Sequence, residues 1–235
     1  MKHALPTALL VLAAAALASR ADDAGDLETV FSKVDAKAET VKDVKAEFTQ
    51  TKQMKILKRP QLSGGHLSVK KTDGGPRICW ESWDVDPDTS EKSLPQRLLI
   101  LGDTKEMVNW SLEEKTGERT DLGKGKVEVS EFLTIGGSLS GLKNGFTVEL
   151  AGRPAEGKGW ELKLTPTSER LKKFIRELRL EIDPVEWVIV RIFVRDTGDN
   201  TTDIRLTSFQ VNKGVDEKLY EVPKDVKLTD VSFDK

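Results

Sequence analysis

The chain has 235 residues, of which 37% are hydrophobic and 32% charged, with a formal net charge of -2 and a mean hydropathy of -0.40. This composition is typical of a globular protein with enough apolar residues for a core, and it excludes a disordered chain. A net charge so close to zero gives no reason to expect nucleic acid as a partner.

The N-terminus has the pattern of a secretory signal peptide. Lys2 and His3 precede an apolar run over residues 8–18, and small residues follow. The run is about 11 residues long, whereas a membrane-spanning helix needs roughly 20. We therefore predict export, with cleavage near Ala18 or Ala21, so that residues 1–21 are removed and residues 22–235 form one domain. An uncleaved membrane anchor is the less favoured alternative.

The single cysteine, Cys79, limits two further possibilities. It lies far from the predicted cleavage point, where a lipoprotein would need its acylated cysteine, and it leaves no partner for an internal disulfide. Because it stands beside Trp80 in an apolar segment, we predict a buried and unreactive thiol.

An amphipathic helix and a long strand open the mature chain. Apolar residues recur at helical spacing between Leu27 and Val41, which predicts a helix with one buried face. In the segment 44–50, Val44, Ala46 and Phe48 alternate with polar residues. Alternation with a period of two predicts a strand with one buried side, extending to about residue 56.

The rest of the chain reads as a series of short antiparallel strands. We predict strands over residues 66–71, 77–83, 98–101, 107–112, 145–151, 159–165, 175–183, 186–195 and 201–212, and a final one over 218–222. A sheet of about ten strands curls and presents a concave face. The fold class is mainly β (α+β).

The middle of the chain departs from this pattern. Residues 117–126 are charged and glycine-rich, and residues 127–135 form a short apolar segment between glycine-rich stretches. Such a segment is expected to act either as a lid that opens and closes or as a surface loop that covers the core. The sequence does not distinguish these two interpretations.

The sequence gives little support for catalysis. His66 is the only histidine outside the predicted signal peptide, and no Gly-x-Ser-x-Gly nucleophile elbow occurs. One histidine without a cysteine or second histidine nearby does not make a usual zinc site. We therefore predict a protein that is not an enzyme and has no cofactor or metal, and a hydrolase based on loop carboxylates is the least favoured hypothesis.

Several short motifs, taken in order, resemble one family. They are the segments 44–50, 64–71, 77–80, 162–166, 182–183, 207–209 and 221–223. This series, which covers most of residues 26–228, is similar to LolA, the periplasmic carrier of lipoproteins to the bacterial outer membrane. The resemblance implies an incomplete antiparallel β-barrel (LolA/LolB-like) around a hydrophobic cavity, closed by short helical lid elements. It also implies a monomer in the periplasm, with acylated lipoprotein as cargo, an inner-membrane exporter and an outer-membrane acceptor.

Strand alternation supplies candidate residues for lining that cavity. Some are expected to line it and others to pack only against the front helix. The candidates are Phe48, Leu67, Val69, Ile78, Trp80, Leu99, Leu101, Trp110, Phe132, Leu162, Leu164, Leu180, Ile182, Val190 and Ile192.

One departure from the family concerns the lid. The family commonly has an Arg-Pro pair at the end of the second strand, and that arginine is tied to lid closure and cargo transfer. Here Lys71 stands at about that place and Arg77 follows the next turn, so these two are the candidate lid and transfer residues. Lysine lacks the planar fork of donors that arginine has, so either the lid or the cargo is expected to differ. The alternative functions are an envelope protein that binds another lipid or glycolipid, and a lipoprotein-sensing domain.

Overall fold

The computed structural model describes residues 8–123, 138–155 and 158–231, with only the backbone described for residues 8–22 and 170. Helix α1 (Ala8–Thr40) comes first, a one-turn helix α2 (Glu169–Lys172) lies between two strands, and short 3₁₀ helices occupy Ser140–Asn144 and Glu217–Tyr220. The strands are β1 (Asp43–Gln53), β2 (Gln61–Lys70), β3 (Arg77–Val85), β4 (Lys92–Leu101), β5 (Glu106–Ser111), β6 (Thr116–Asp121), β7 (Phe146–Gly152), β8 (Trp160–Pro166), β9 (Ile175–Ile182), β10 (Ile189–Asp196), β11 (Thr201–Val211) and β12 (Lys227–Val231).

All the described strands belong to one open sheet. Its order is β12-β6-β5-β4-β3-β2-β1-β11-β10-β9-β8-β7, and neighbours are antiparallel except β12, which runs parallel to β6. The mainly β fold with an N-terminal helix is confirmed, but the described sheet has twelve strands rather than about ten. The predicted lid over residues 127–135, including Phe132, lies outside the described residues.

The predicted first strand is near the middle of this sheet. β1 pairs with β2 on one side and with β11 on the other. Val44, Ala46 and Phe48 are buried, as the alternation predicts. Because strands β2 to β6 extend the sheet one way and β11 to β7 the other, β1 joins its two halves.

In three places, the polar parts of the chain differ from the sequence prediction. The charged residues 116–121 form β6, an edge-side strand whose buried residue is Thr120. The predicted strand over 218–222 is instead a 3₁₀ helix, because the Asp216 carboxylate accepts a hydrogen bond from the Lys218 N–H at 3.0 Å and starts a turn there. The last strand, β12, follows it and has no counterpart in the sequence prediction.

The sheet buries apolar side chains on both of its faces. We call the face covered by α1 the inner face and the other the outer face. On the inner face, Val30, Phe31 and Val34 of α1 pack into one cluster with the apolar residues of β1, β2 and β7 to β11. This cluster is the main core.

The outer face of β3 to β5 is covered by the end of the chain. We call residues 212–226 the C-terminal strap. Its side chains Leu219, Tyr220 and Val222 pack with Cys79, Leu99, Val108 and Trp110 in a second cluster. This half of the sheet therefore has apolar residues on its inner face and also on its outer face, where the strap covers it.

The C-terminal end of α1 is fixed to the sheet by polar contacts. The Lys71 ammonium donates to the Ala38 carbonyl, and Asn212 Nδ2 donates to the Thr40 carbonyl at 2.9 Å. These donors satisfy carbonyls that the last turn of a helix leaves unpaired. Among the described residues, no helix has both the length and the apolar content needed to cross a bilayer.

Candidate functional site

The inner face of β3 to β6 carries a hollow of about 380 Å³. We call it the inner hollow. Its apolar lining is Trp80, Leu98 and Met107, which are half-buried although their neighbours Ile78 and Ile100 are fully buried. The volume lies within the range of about 300–1,000 Å³ that is usual for sites of small ligands.

Strand register orders the residues of the inner hollow in rows, because directly paired residues share a face. One row runs Ile78, Ile100, Met107 and Thr120, and the next runs Trp80, Leu98, Asn109 and Glu118. Beyond them, Ser82 pairs with Gln96. The surface thus grades from apolar to polar along the strands, an arrangement that suits an amphiphile with an apolar tail and a polar head.

Aromatic packing connects the inner hollow to the core under α1. The Phe48 and Trp80 rings have centroids 4.0 Å apart and are inclined by 34°. Phe48 is almost fully buried, whereas Trp80 is only half-buried and borders the hollow. The hollow is therefore continuous with the main core rather than separated from it by polar residues.

Most of the residues predicted to line a cavity lie on the inner face. All of these belong to the main core cluster, and apart from Trp80 they are closely packed and buried: Phe48, Leu67, Val69, Ile78, Trp80, Leu162, Leu164, Leu180, Ile182 and Ile192. Of this set, Trp80 is the one that lines the inner hollow.

Four other predicted residues are placed differently. Leu99, Leu101 and Trp110 belong to the second cluster, on the outer face under the C-terminal strap. Alternation gave them the wrong face because the strap makes that side of β4 and β5 apolar as well. Val190 is half-buried beside a register shift between Ile189 and Arg191 and is part of neither cluster.

Sequence reasoning missed Leu98 and Met107, the other apolar residues of the inner hollow. Leu98 begins the run Leu98-Leu-Ile-Leu101, in which every residue is apolar and alternation cannot choose a face. Met107 precedes Val108 and Trp110, and the alternation of these two residues predicts that the opposite face of the strand is the apolar one. The pairing of Leu98 with Trp80 would have placed Leu98 on the inner face, but this pairing is known only once the register of β3 and β4 is known.

The two candidate lid and transfer residues contact different parts of the fold. Lys71 contacts the end of α1. Arg77 points to the outer face, where its Nε donates to Asp103 Oδ2 at 2.9 Å and its Nη1 lies 3.6 Å from Glu217 of the strap. The hydrogen bonds from Arg77 hold the pKa of the Asp103 carboxyl below its ordinary value. Arg77 thus fastens the strap and the β4–β5 turn, not α1.

A second hollow, of about 340 Å³, lies on the outer face beside the strap. Its lining is largely polar and includes Glu47, His66, Ser68 and Gln210. Cys79 also borders it, but burial raises the pKa of this thiol to about 11, so it stays protonated at neutral pH. Three of its lining side chains, Lys45, Glu47 and Glu81, are charged, whereas the lining of the inner hollow has one charged side chain, Glu118. Because charged groups are costly to cover with an acyl chain, the inner hollow is the better candidate site.

The sequence matches the model of one protein family. The model of the family described as outer membrane lipoprotein carrier protein LolA matches residues 39–223, from the end of α1 into the strap. No curated protein matches the sequence.

Solved structures with low sequence identity are also similar. A DUF1329 family protein from Desulfovibrio piger has 12% identity and a TM-score of 0.43, with 82% of this chain and 95% of that chain covered. A putative outer membrane lipoprotein-sorting protein domain from Vibrio parahaemolyticus has 9% identity, a TM-score of 0.43 and coverage of 82% and 95%. A LolA superfamily protein from Nitrosomonas europaea has 9% identity, a TM-score of 0.40 and coverage of 83% and 96%.

Proposed function

This chain belongs to the LolA family, and from that premise we propose that it is a periplasmic carrier that binds acyl chains of lipoproteins and moves them from the inner to the outer membrane. The observation that carries the proposal is the inner hollow, with Trp80, Leu98 and Met107 at its apolar part and Ser82, Gln96 and Glu118 toward its polar end. In this proposal the acyl chain lies against the first three residues and the acylated peptide end lies near the other three.

Burial of the acyl chain provides the affinity. Each methylene removed from water contributes about 0.8 kcal/mol. A contact that covers eight methylenes would therefore contribute roughly 6 kcal/mol before the cost of ordering the chain. Burial of this kind selects for acyl groups as a class and not for one lipoprotein.

A cargo with two or three acyl chains needs more room than the inner hollow gives. We propose that α1 then moves away from the sheet and exposes further residues of the inner face, among them Phe48, Leu67 and Val69, which belong to the same core cluster as its apolar side. The contact between Lys71 and the Ala38 carbonyl would break in that motion, and this gives Lys71 its proposed part in lid function. Arg77 acts on the strap and has no part in this step.

The remaining features of the proposal follow from its cellular setting. Residues 1–21 are a signal peptide, and residues 22–235 work as a monomeric domain in the periplasm. The partners are an inner-membrane exporter that hands over the cargo and an outer-membrane acceptor that receives it. The chain needs no catalytic residue and no cofactor for this role.

The test is to purify the protein from the periplasm and identify bound material by mass spectrometry. The wild type should carry acylated peptide, and Leu98→Trp, which fills the inner hollow, should carry much less. Gln210→Trp is the matched control, because it places the same side chain in the outer-face hollow. Absence of acyl material from the wild type, or equal loading of Leu98→Trp, would contradict the proposal.

Lys71 favours a second candidate function, binding of another lipid or glycolipid, because it stands where the family has an arginine tied to transfer. Co-purified free phospholipid or glycolipid would support this candidate. Depletion in the native host separates the two, since only loss of a lipoprotein carrier leaves lipoproteins in the inner membrane. A lipoprotein-sensing domain would instead change a stress response without changing lipoprotein location.

A further inference from the structure

Exposed apolar side chains concentrate at one end of the sheet. We call it the turn end, because it carries the turns over residues 54–60, 86–91, 112–115 and 196–200 and the segment 167–174. Of the large apolar residues exposed among the described ones, Ile56 (83%), Leu57 (38%), Phe174 (65%) and Leu94 (60%) lie here. Val185 and Val231 lie at the opposite end.

Two segments at the turn end share one sequence pattern. Lys55-Ile56-Leu57-Lys58-Arg59 follows β1, and Lys172-Lys173-Phe174-Ile175-Arg176 leads into β9. Each places apolar residues between cationic ones. All of these side chains are exposed except that of Ile175, which packs against the main core. Single exposed apolar residues are ordinary on protein surfaces, but the same basic–apolar–basic pattern twice at one end is not explained by packing.

Ion pairs and hydrogen bonds to one turn join the two segments into one surface. Asp199, in the turn between β10 and β11, lies 3.9 Å from Lys55 Nζ and also accepts a hydrogen bond from Arg176. In the same turn, Asn200 Oδ1 accepts from the Lys55 N–H at 3.0 Å, and the Thr197 hydroxyl donates to the Lys173 carbonyl at 3.2 Å. We call this surface, residues 55–59 and 172–176, the basic tip.

Positive and negative charges lie on different sides of the turn end. The basic tip carries six cations. Four of them are paired with three carboxylates, those of Asp199, Asp88 and Glu169, so the tip keeps a net positive charge. The other side of the same end is acidic, with Asp84, Asp86, Glu91, Glu113 and Glu114. The cations therefore lie with the apolar residues, and Arg59, which pairs with Asp88, lies where the basic tip meets the acidic turns.

We propose that the basic tip binds the surface of an anionic lipid bilayer. Ile56, Leu57 and Phe174 enter the boundary between head groups and acyl chains, and Lys58, Arg59 and Lys173 face lipid phosphates. Lysine is depleted from protein–protein interfaces, whereas clustered cations near a membrane are attracted to anionic lipid. The combination of lysine with separate apolar side chains therefore favours a bilayer over a protein groove as partner. The inference does not rest on the inner hollow or on any cargo.

A fluorescent probe at defined positions tests this directly on the full chain. Ile56→Cys and Phe174→Cys are labelled with an environment-sensitive fluorophore, and the native Cys79 does not compete because it is buried. Val185→Cys is the matched control, an exposed apolar position at the other end. Vesicles of phosphatidylglycerol and phosphatidylcholine should shift the emission to shorter wavelength at positions 56 and 174 but not at 185, and high salt should reverse the shift.

The contribution of charge is measured by vesicle partitioning of the same labelled proteins. Each lost cation should weaken partitioning by about fivefold, so Lys58→Gln/Arg59→Gln/Lys173→Gln should weaken it on the order of 100-fold. Lys213→Gln/Lys224→Gln/Lys227→Gln removes the same charge from exposed sites outside the tip and should have little effect. The proposal is overturned if neither tip probe responds, if position 185 responds equally, or if both triple variants lose binding equally. Co-purification of acyl cargo is scored separately, so failure of the tip and failure of the carrier role are distinguishable.

Discussion

Phe48 lies in ring contact with Trp80, at a centroid distance of 4.0 Å, and this pair marks where the packed half of the inner face meets the open half. Phe48 is 3% exposed and belongs to the main core cluster, which also contains the apolar residues of α1. Trp80 turns its other side to the inner hollow. The tryptophan wall of the hollow is therefore held in place by the core.

Truncation of Phe48 should lower the stability of the protein. We expect Phe48→Ala to lower the free energy of unfolding by about 3–5 kcal/mol, because it removes a buried ring and leaves a cavity beside Trp80. Denaturant unfolding followed by fluorescence measures this. Phe174→Ala is the control, since that ring is exposed, and should change stability by less than about 0.5 kcal/mol. Equal losses in the two variants would show that Phe48 is not a core residue.

Gly65 should not tolerate a side chain. A Cβ atom at this position would lie 1.9 Å from the Glu81 carbonyl oxygen and 2.5 Å from the Phe48 ring. Because the first of these is backbone of the paired strand, we expect Gly65→Ala to destabilise the protein by about 3 kcal/mol. At Gly141 an added Cβ meets nothing within 4 Å, so Gly141→Ala should unfold at nearly the wild-type denaturant concentration. A stable Gly65→Ala variant would mean that the β2–β3 pairing is wrong.

The Arg77–Asp103 ion pair should make stability depend on acid pH. Its hydrogen bonds lower the pKa of Asp103 in the folded state relative to about 3.9 in the unfolded chain. The contribution is therefore fully present above that unfolded value and is lost as pH falls through the folded pKa. We expect Asp103→Asn to cost about 1 kcal/mol at pH 7, since the pair is partly exposed, and the difference from wild type should shrink below about pH 4.

Urea unfolding at several pH values measures that difference. Arg77→Gln should show a similar loss, and the double variant should lose little beyond either single one because the two side chains act together. A wild-type advantage that stays constant between pH 7 and pH 3 would exclude Asp103 as its source.

Removal of the Tyr220 hydroxyl should not lower the stability of the protein. The side chain is 4% exposed in the outer-face cluster, and its hydroxyl has no hydrogen-bond partner among the residues that the structure describes. A buried unpaired polar group costs about 1–3 kcal/mol, so Tyr220→Phe should leave the melting temperature unchanged or raise it. Tyr220→Ala should instead destabilise by about 3 kcal/mol through loss of the ring. A large loss in Tyr220→Phe would show that the hydroxyl has a partner after all.

Local patterns predicted much of the sheet because most strands bury one side. Val44, Ala46 and Phe48 show this in β1, and Leu162 and Leu164 show it in β8. The pattern fails where burial is slight. In β6, Thr120 is the buried residue, and β12 has none, so neither strand differs from a polar loop in sequence. Their place depends on partners far along the chain.

The candidate site was harder to predict for a different reason. Alternation identifies two faces but does not state which one is covered by a helix and which by another part of the chain. Leu99 and Trp110 are as strongly apolar as Leu98 and Met107, yet they lie under the strap while the other two line the inner hollow. Only the tertiary position of residues 212–226 separates these sets.

The parallel pairing of β12 with β6 has a consequence for how this protein matures. Val231 meets Thr120, so the final strand cannot take its place until the chain has passed behind the whole of β3 to β5. Contacts of such long sequence separation form late. A chain emerging N-terminus first from a ribosome or a translocation pore would keep Leu99, Val108 and Trp110 exposed to water until the C-terminal strap has emerged. Truncation before the C-terminal strap should therefore yield an aggregation-prone product that quality-control proteases remove.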